Sequence, residues 1–141
     1  MVSRSTIAAL VFASFACLPV SGLAQVSSSQ VLTPTQQAAY GWTWAQQAAK
    51  ECSNKIGWNS ATGEPIKTND AIKLLVSEGH RRNKVIRAFR ESGSYPFIQL
   101  DRWLVSAGYK PNAQNIDALF CEFSGKVAGT SHPMGRFIKR K

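Results

Sequence analysis

Acid is scarce in this chain: 8 Asp and Glu stand against 17 Lys and Arg, a formal net charge of +9. Histidine numbers 2 and cysteine 3, and no stretch of any length alternates apolar and polar residues. Each shortage excludes something. His80 and His132 are far apart and neither has a second ligand at helical spacing, so no metal site is expected. The chain holds no G-x-S-x-G elbow, no H-E-x-x-H and no phosphate-cradling glycine loop, which removes the common hydrolase and nucleotide sites and any expected cofactor. Glu51, Glu64, Glu78, Glu91 and Glu122 leave a paired-carboxylate glycosidase as the one enzyme reading, the two acids flanking the scissile bond. Each of them fits better on a solvated helix face or in a loop, so the expectation is a protein that is not an enzyme. The missing strand period points to an all-α fold.

Long apolar runs are also missing, except at the start. Arg4 precedes an almost unbroken apolar run from Ile7 to Val20, and Ser21-Gly22-Leu23-Ala24 sets small residues before Gln25. That is the pattern of a cleaved signal peptide, residues 1–24; the run is shorter than the ~20 residues of a membrane-spanning helix. Acylation of Cys17 is a minor alternative, since Ser14-Phe15-Ala16 lacks the usual leucine three places upstream. The mature chain is then exported, to the periplasm or outside the cell, and keeps no transmembrane segment. Cleavage removes Arg4, leaving 16 basic against 8 acidic residues, or +8.

Cleavage also removes Cys17, so two cysteines remain. An even pair in an oxidising compartment reads as a disulfide, Cys52 to Cys121. Closing so long a loop constrains the unfolded chain by roughly 4 kcal/mol.

Residues 25–33 are polar and Ser-rich, a flexible lead-in; 34–141 form a single helical domain of about five helices stapled by the bridge. Thr33 caps a first helix that starts at Pro34 and runs to about Ser53, with Ala38, Trp42, Ala45, Ala49 and Cys52 on one stripe. Tyr40 and Trp44 lie off that stripe. The segment 54–67 is an aperiodic loop in which Trp58 is either a plug for the core or a recognition residue. Thr68 or Asn69 caps a second helix with Ala71, Leu74 and Leu75 inward, and Gly79 ends it in the left-handed conformation. A third helix, about Arg82 to Glu91, buries Val85, Ile86 and Phe89. Ser94-Tyr95-Pro96 restarts the chain, and a fourth helix carries Phe97, Leu100, Leu104 and Ala107 up to Gly108. In the fifth, Ile116, Phe120, Phe123 and Val127 form a bulky stripe. Ala118, Cys121, Gly125 and Ala128 form a small one, expected to face the first helix closely. After Gly129 the chain reads as a last helical turn or two and a basic tail.

The cations carry the functional signal. Arg81, Arg82, Lys84, Arg87 and Arg90 lie at and along the third helix. Three of them sit at its N-terminal end, where the helix dipole disfavours positive charge. A local rule broken in this way marks a candidate anion or partner site; the plain alternative is a solvated face. Export argues against nucleic acid. The expected partners are an acidic protein or an anionic envelope surface, and the expected roles are a periplasmic binding or accessory protein or, alternatively, a cationic protein acting directly on membrane or wall.

Three stretches, "GHRRNKVIRAF" (79–89), "WLVSAGYKP" (103–111) and "FCEFSGKVAGTSHPMGRFI" (120–138), together with Cys52 by position, resemble an uncharacterised domain-of-unknown-function family of short exported alphaproteobacterial proteins. The 54–67 loop departs from that family's tighter connection. The resemblance implies export and brings no catalytic residue with it. Mass spectrometry of the exported, non-reduced protein is expected to show a chain starting at Gln25; an intact N-terminus at Met1 overturns the signal-peptide reading.

Overall fold

The computed structural model describes residues 31–93 and 96–141. The expected signal peptide 1–24, most of the expected 25–33 lead-in, the Ser94-Tyr95 restart and the side chain of Phe97 lie outside the described residues. Five α-helices and a two-stranded ribbon follow one another: α1 (Pro34–Glu51), β1 (Ile56–Trp58), α2 (Thr68–Ser77), α3 (Arg82–Ser92), α4 (Pro96–Ser106), α5 (Ile116–Val127), a 3-10 turn (Gly135–Phe137) and β2 (Ile138–Arg140). Thr33–Lys141 is one compact unit.

α1 begins where the sequence puts it. The Thr33 hydroxyl accepts from the Gln36 N–H at 3.2 Å and the Gln36 side chain accepts from the Thr33 N–H at 2.9 Å, a reciprocal cap ahead of Pro34. Its middle is buried on most sides: Ala38, Ala39, Tyr40, Gly41, Trp42, Trp44, Ala45 and Ala48 are all inside. Tyr40 and Trp44, off the main stripe, therefore pack second neighbours. A helix apolar nearly all round is a central helix, and every other element contacts it.

The main core joins Trp42, Trp44 and Ala45 of α1 to Leu100 and Leu104 of α4, Phe120 and Phe123 of α5, and Met134, Phe137 and Ile138 beyond it. A smaller cluster sets Ala38 against Leu75 and Val85 of α2 and α3. Gly79, at φ +99, ends α2, and the His80 N–H reaches back to the Leu75 carbonyl at 3.1 Å. Gly108, at φ +90, closes α4 in the same conformation, with the Tyr109 N–H on the Leu104 carbonyl at 3.0 Å. Cys52 and Cys121 are bridged, their Cα atoms 5.6 Å apart across 69 residues of sequence.

The fold is mostly helical but not purely so. β1 and β2 pair antiparallel, with Ile56 opposite Arg140, Gly57 opposite Lys139 and Trp58 opposite Ile138. Three residues are too few to display a period of two, so the pattern of the sequence does not reveal either strand. The tail beyond Gly129 is consequently no helical extension. Gly129 turns at φ +74 and donates to the Gly135 and Ile138 carbonyls. Met134, Phe137 and Ile138 then enter the core with 1% exposure or less. Trp58, 8% exposed within the same core, is a plug.

Two further expectations are corrected. α2 begins one residue early, with Lys67 at its N-cap and no side-chain cap, and Leu74 is 39% exposed because the helix turns Ala71 and Leu75 inward instead. The small stripe of α5 is not a close seam along its length, although Cys121 is bridged to Cys52 beside α1 and Ala128 packs on the core. Ala118 is exposed, and a Cβ placed on Gly125 has no atom within 4 Å. The close approaches lie elsewhere. A Cβ on Gly41 would overlap the Pro133 carbonyl and come within 2.9 Å of the Met134 nitrogen, and one on Gly135 would overlap the Val127 carbonyl.

Gly41→Ala and Gly135→Ala are each expected to lower stability by about 3 kcal/mol, the upper part of the overpacking range, because backbone and not a movable side chain stands in the way. Gly125→Ala is expected to be neutral or slightly stabilising, since Ala is the better helix former. Chemical denaturation of the three variants checks this; equal effects overturn the assignment of the close contacts.

Candidate functional site

The five cations singled out in the sequence all lie at the start or along the exposed surface of one helix. α3 has Arg81 at its N-cap with no side-chain cap and no acid in its first turn. Val85 and Ala88 are its buried positions, which leaves Arg81, Arg82, Lys84, Arg87 and Arg90 exposed. Lys84, Arg87 and Arg90 step by three, an inclined ridge on the outer face. None of the five forms an ion pair or a side-chain hydrogen bond among the described residues. The helix is fixed from beneath: the Thr43 and Ser92 hydroxyls are 2.9 Å apart, and the Ser92 hydroxyl also donates to the Phe89 carbonyl at 2.9 Å. His80, just before α3, has its Nδ1 2.8 Å from the Thr35 hydroxyl of α1.

The C-terminal cations do not join this ridge. Arg136 donates to Glu78 at 2.5 Å, a partly exposed pair tying the end of α2 to the 3-10 turn. The Arg136 guanidinium holds the Glu78 carboxyl below its ordinary value, against the opposing effect of burial. Arg140 donates through Nε to the Gly125 carbonyl at 2.6 Å. With Lys55 and Lys141 it rims a groove of about 670 Å³ floored by Ile56, Cys121 and Gly125. The uncovered small stripe of α5 is that floor.

The carboxylates behind the glycosidase expectation are dispersed. Glu122 accepts from the Tyr109 hydroxyl at 3.3 Å, Glu91 from the Gln36 amide at 3.4 Å, and Glu64 sits exposed in the β1–α2 loop. Glu51 and Asp117 do line one cleft of about 440 Å³, beside Trp44 and Phe120. No group of three or more His, Cys, Asp or Glu among the described residues could hold a metal ion.

Sequence reasoning missed the surroundings of His132. Its ring lies 4.7 Å from Trp103 and 5.3 Å from Phe123, edge-on to both. The Met134 N–H donates to His132 Nδ1 at 3.1 Å, and the His132 N–H is held by the Thr130 hydroxyl at 3.2 Å. Burial pushes the imidazole down to about 4, so at neutral pH it is uncharged, with its proton on Nε2. The ring closes one end of a cleft of about 460 Å³ between α4 and α5. The one signal in the sequence is the His-Pro pair after a helix-ending glycine, which marks a turn but not its neighbours.

Comparison of the chain with family models, with curated proteins and with solved structures gave no match.

His132 also makes a pH prediction. Its value is lowered in the folded state, from 6.5 to about 4, so the unfolded chain binds the proton more readily. Its contribution to stability is complete above about pH 6.5 and is lost progressively as pH falls towards 4. Glu78, also lowered, loses its contribution only near and below its ordinary 4.5. Thermal unfolding of the wild type is expected to weaken between pH 6.5 and 4.5, and His132→Asn, which keeps an acceptor for Met134, is expected to flatten that interval. An identical profile in the variant removes the assignment.

Proposed function

We propose that this is an exported, non-enzymatic binding or accessory protein that presents α3 to an acidic partner in the periplasm or outside the cell. The observation that carries the proposal is the unneutralised start of α3. Arg81, Arg82 and Lys84 are exposed around a helix N-terminus with no acid in its first turn. A cation so placed is unfavourable by about 0.3–1 kcal/mol at low salt, and none of the three gains an ion pair in return among the described residues. A ridge of Arg with free forks matches carboxylate and phosphate groups, which accept two parallel hydrogen bonds from each guanidinium. The Cys52–Cys121 bridge supports an oxidising destination. The similarity of 79–89, 103–111 and 120–138 to the exported alphaproteobacterial family supports the same destination and belongs to this proposal.

Neutralising Arg81, Arg82, Lys84 and Arg87 to Gln is expected to leave the fold intact, or to raise its melting temperature slightly as the dipole and mutual repulsion are relieved. Capture of a partner from periplasmic extract is expected to weaken in the variant and to lose its salt dependence. Wild-type binding to anionic vesicles with no protein present, abolished in the variant, replaces the protein partner with the envelope surface. Equal behaviour of variant and wild type in both assays reduces α3 to a solvated face. A wall-polymer hydrolase activity that disappears in Glu51→Gln overturns the non-enzymatic reading.

A further inference from the structure

The cleft beside His132 has a different chemistry from the basic ridge and is independent of the function proposed for it. His132 Nδ1 is occupied by the Met134 N–H, so the ring proton stands on Nε2. Nε2 has no partner among the described residues, and no buried side-chain nitrogen or oxygen there is left without one. The Nε2–H therefore keeps access to solvent, and His132 is one of the residues that line the cleft. The edge-on contacts of the ring with Trp103 and Phe123 restrain its plane.

The rest of the lining is complementary to a negative head on a flat apolar body. Trp103, Phe123 and Pro133 supply flat apolar walls, Ser106 a hydroxyl, and Lys126 a charge at the rim. The Lys126 ammonium is 5.8 Å from the centroid of the Tyr109 ring. No carboxylate lines the cleft. Glu122, one turn before Lys126, is engaged by the Tyr109 hydroxyl and lines the groove beside the disulfide instead. A volume of about 460 Å³ lies within the range of small-molecule sites, which join apolar walls to a few placed polar groups.

We propose that this cleft binds a small aromatic carboxylate, its ring laid against the apolar lining that Trp103, Phe123 and Pro133 supply and its two oxygens shared by His132 Nε2–H and Lys126. One cation and one N–H match a monoanion with two acceptor oxygens. A dianionic phosphate would leave charge uncompensated. Flat walls favour a ring over a flexible chain, because aromatic pairs gain from edge-to-face and offset contacts beyond the area they bury.

Titration of the full chain with benzoate and with 2-naphthoate, followed by amide and indole NMR shifts, tests the site. Saturable shifts are expected at Trp103, Ser106, Lys126 and Met134, with naphthoate the tighter ligand. Benzyl alcohol, which keeps the ring and lacks the charge, is expected to bind at least tenfold more weakly, and Lys126→Gln to weaken benzoate roughly tenfold, the loss of one charge-assisted contact. Lys126 is exposed, and an unchanged melting temperature in the variant confirms that the loss is local. Absence of saturable shifts into the millimolar range, shifts confined to the α3 cations, or equal binding of benzyl alcohol and benzoate overturns the proposal. Unchanged benzoate affinity in Lys126→Gln also overturns it.

Discussion

The arrangement depends on covering α1. Its central residues have almost no side that tolerates water, and the remaining elements supply the cover in turn: α2 and α3 across Ala38, α4 and α5 across Trp44 and Ala45, the ribbon beyond Cys52. Glycine at position 41 is what allows the Pro133–Met134 backbone to lie directly on the helix. That approach leads Met134, Phe137 and Ile138 into the core. Without these three, the aromatic residues of α1 and α5 would lack part of their cover, and at about 25 cal/mol per Å² the burial of side chains of this size is a sizeable share of a small domain's stability.

The same cover divides the positive charge. Pairing with Glu78 commits Arg136 to structure, and the bond to the Gly125 carbonyl directs Arg140 across α5. The cations of α3 have no such duties among the described residues. A basic composition is thus a poor guide to a binding surface by itself. What distinguishes α3 is that its cations are exposed, stand together, and lie where the backbone's own electrostatics oppose them.

Much of this was legible in the sequence, for reasons particular to each residue. Thr33-Pro34 specifies a helix start by local capping and backbone conformation, with the Gln36 half of the cap added by the structure, and Gly79 and Gly108 specify stops by backbone conformation. The bridge followed from parity and compartment. What escaped was decided by contacts between distant segments. Leu74 and Leu75 are equally apolar neighbours, and only the direction of the core chooses between them. Small residues on α5 permit close approach without requiring it, and the chain used Gly41 and Gly135 instead. The inner face of α3 was legible only in part: Val85 is buried as expected, but Ile86 and Phe89 are half-buried and Ala88 takes the other buried position. The His132 cleft could not be read at all, since α4, α5 and the turn after Gly129 each contribute a wall.

The pairing of β1 with β2 also sets an order of events. A chain made or threaded from its N-terminus presents α1 first, and the strand that completes its cover last. Cys52 likewise waits 69 residues for its partner. Contacts of such separation form late and slowly, so the domain cannot close around a half-emerged chain. Until the closing strand arrives, Ile138 is missing from the core and β1 has no partner.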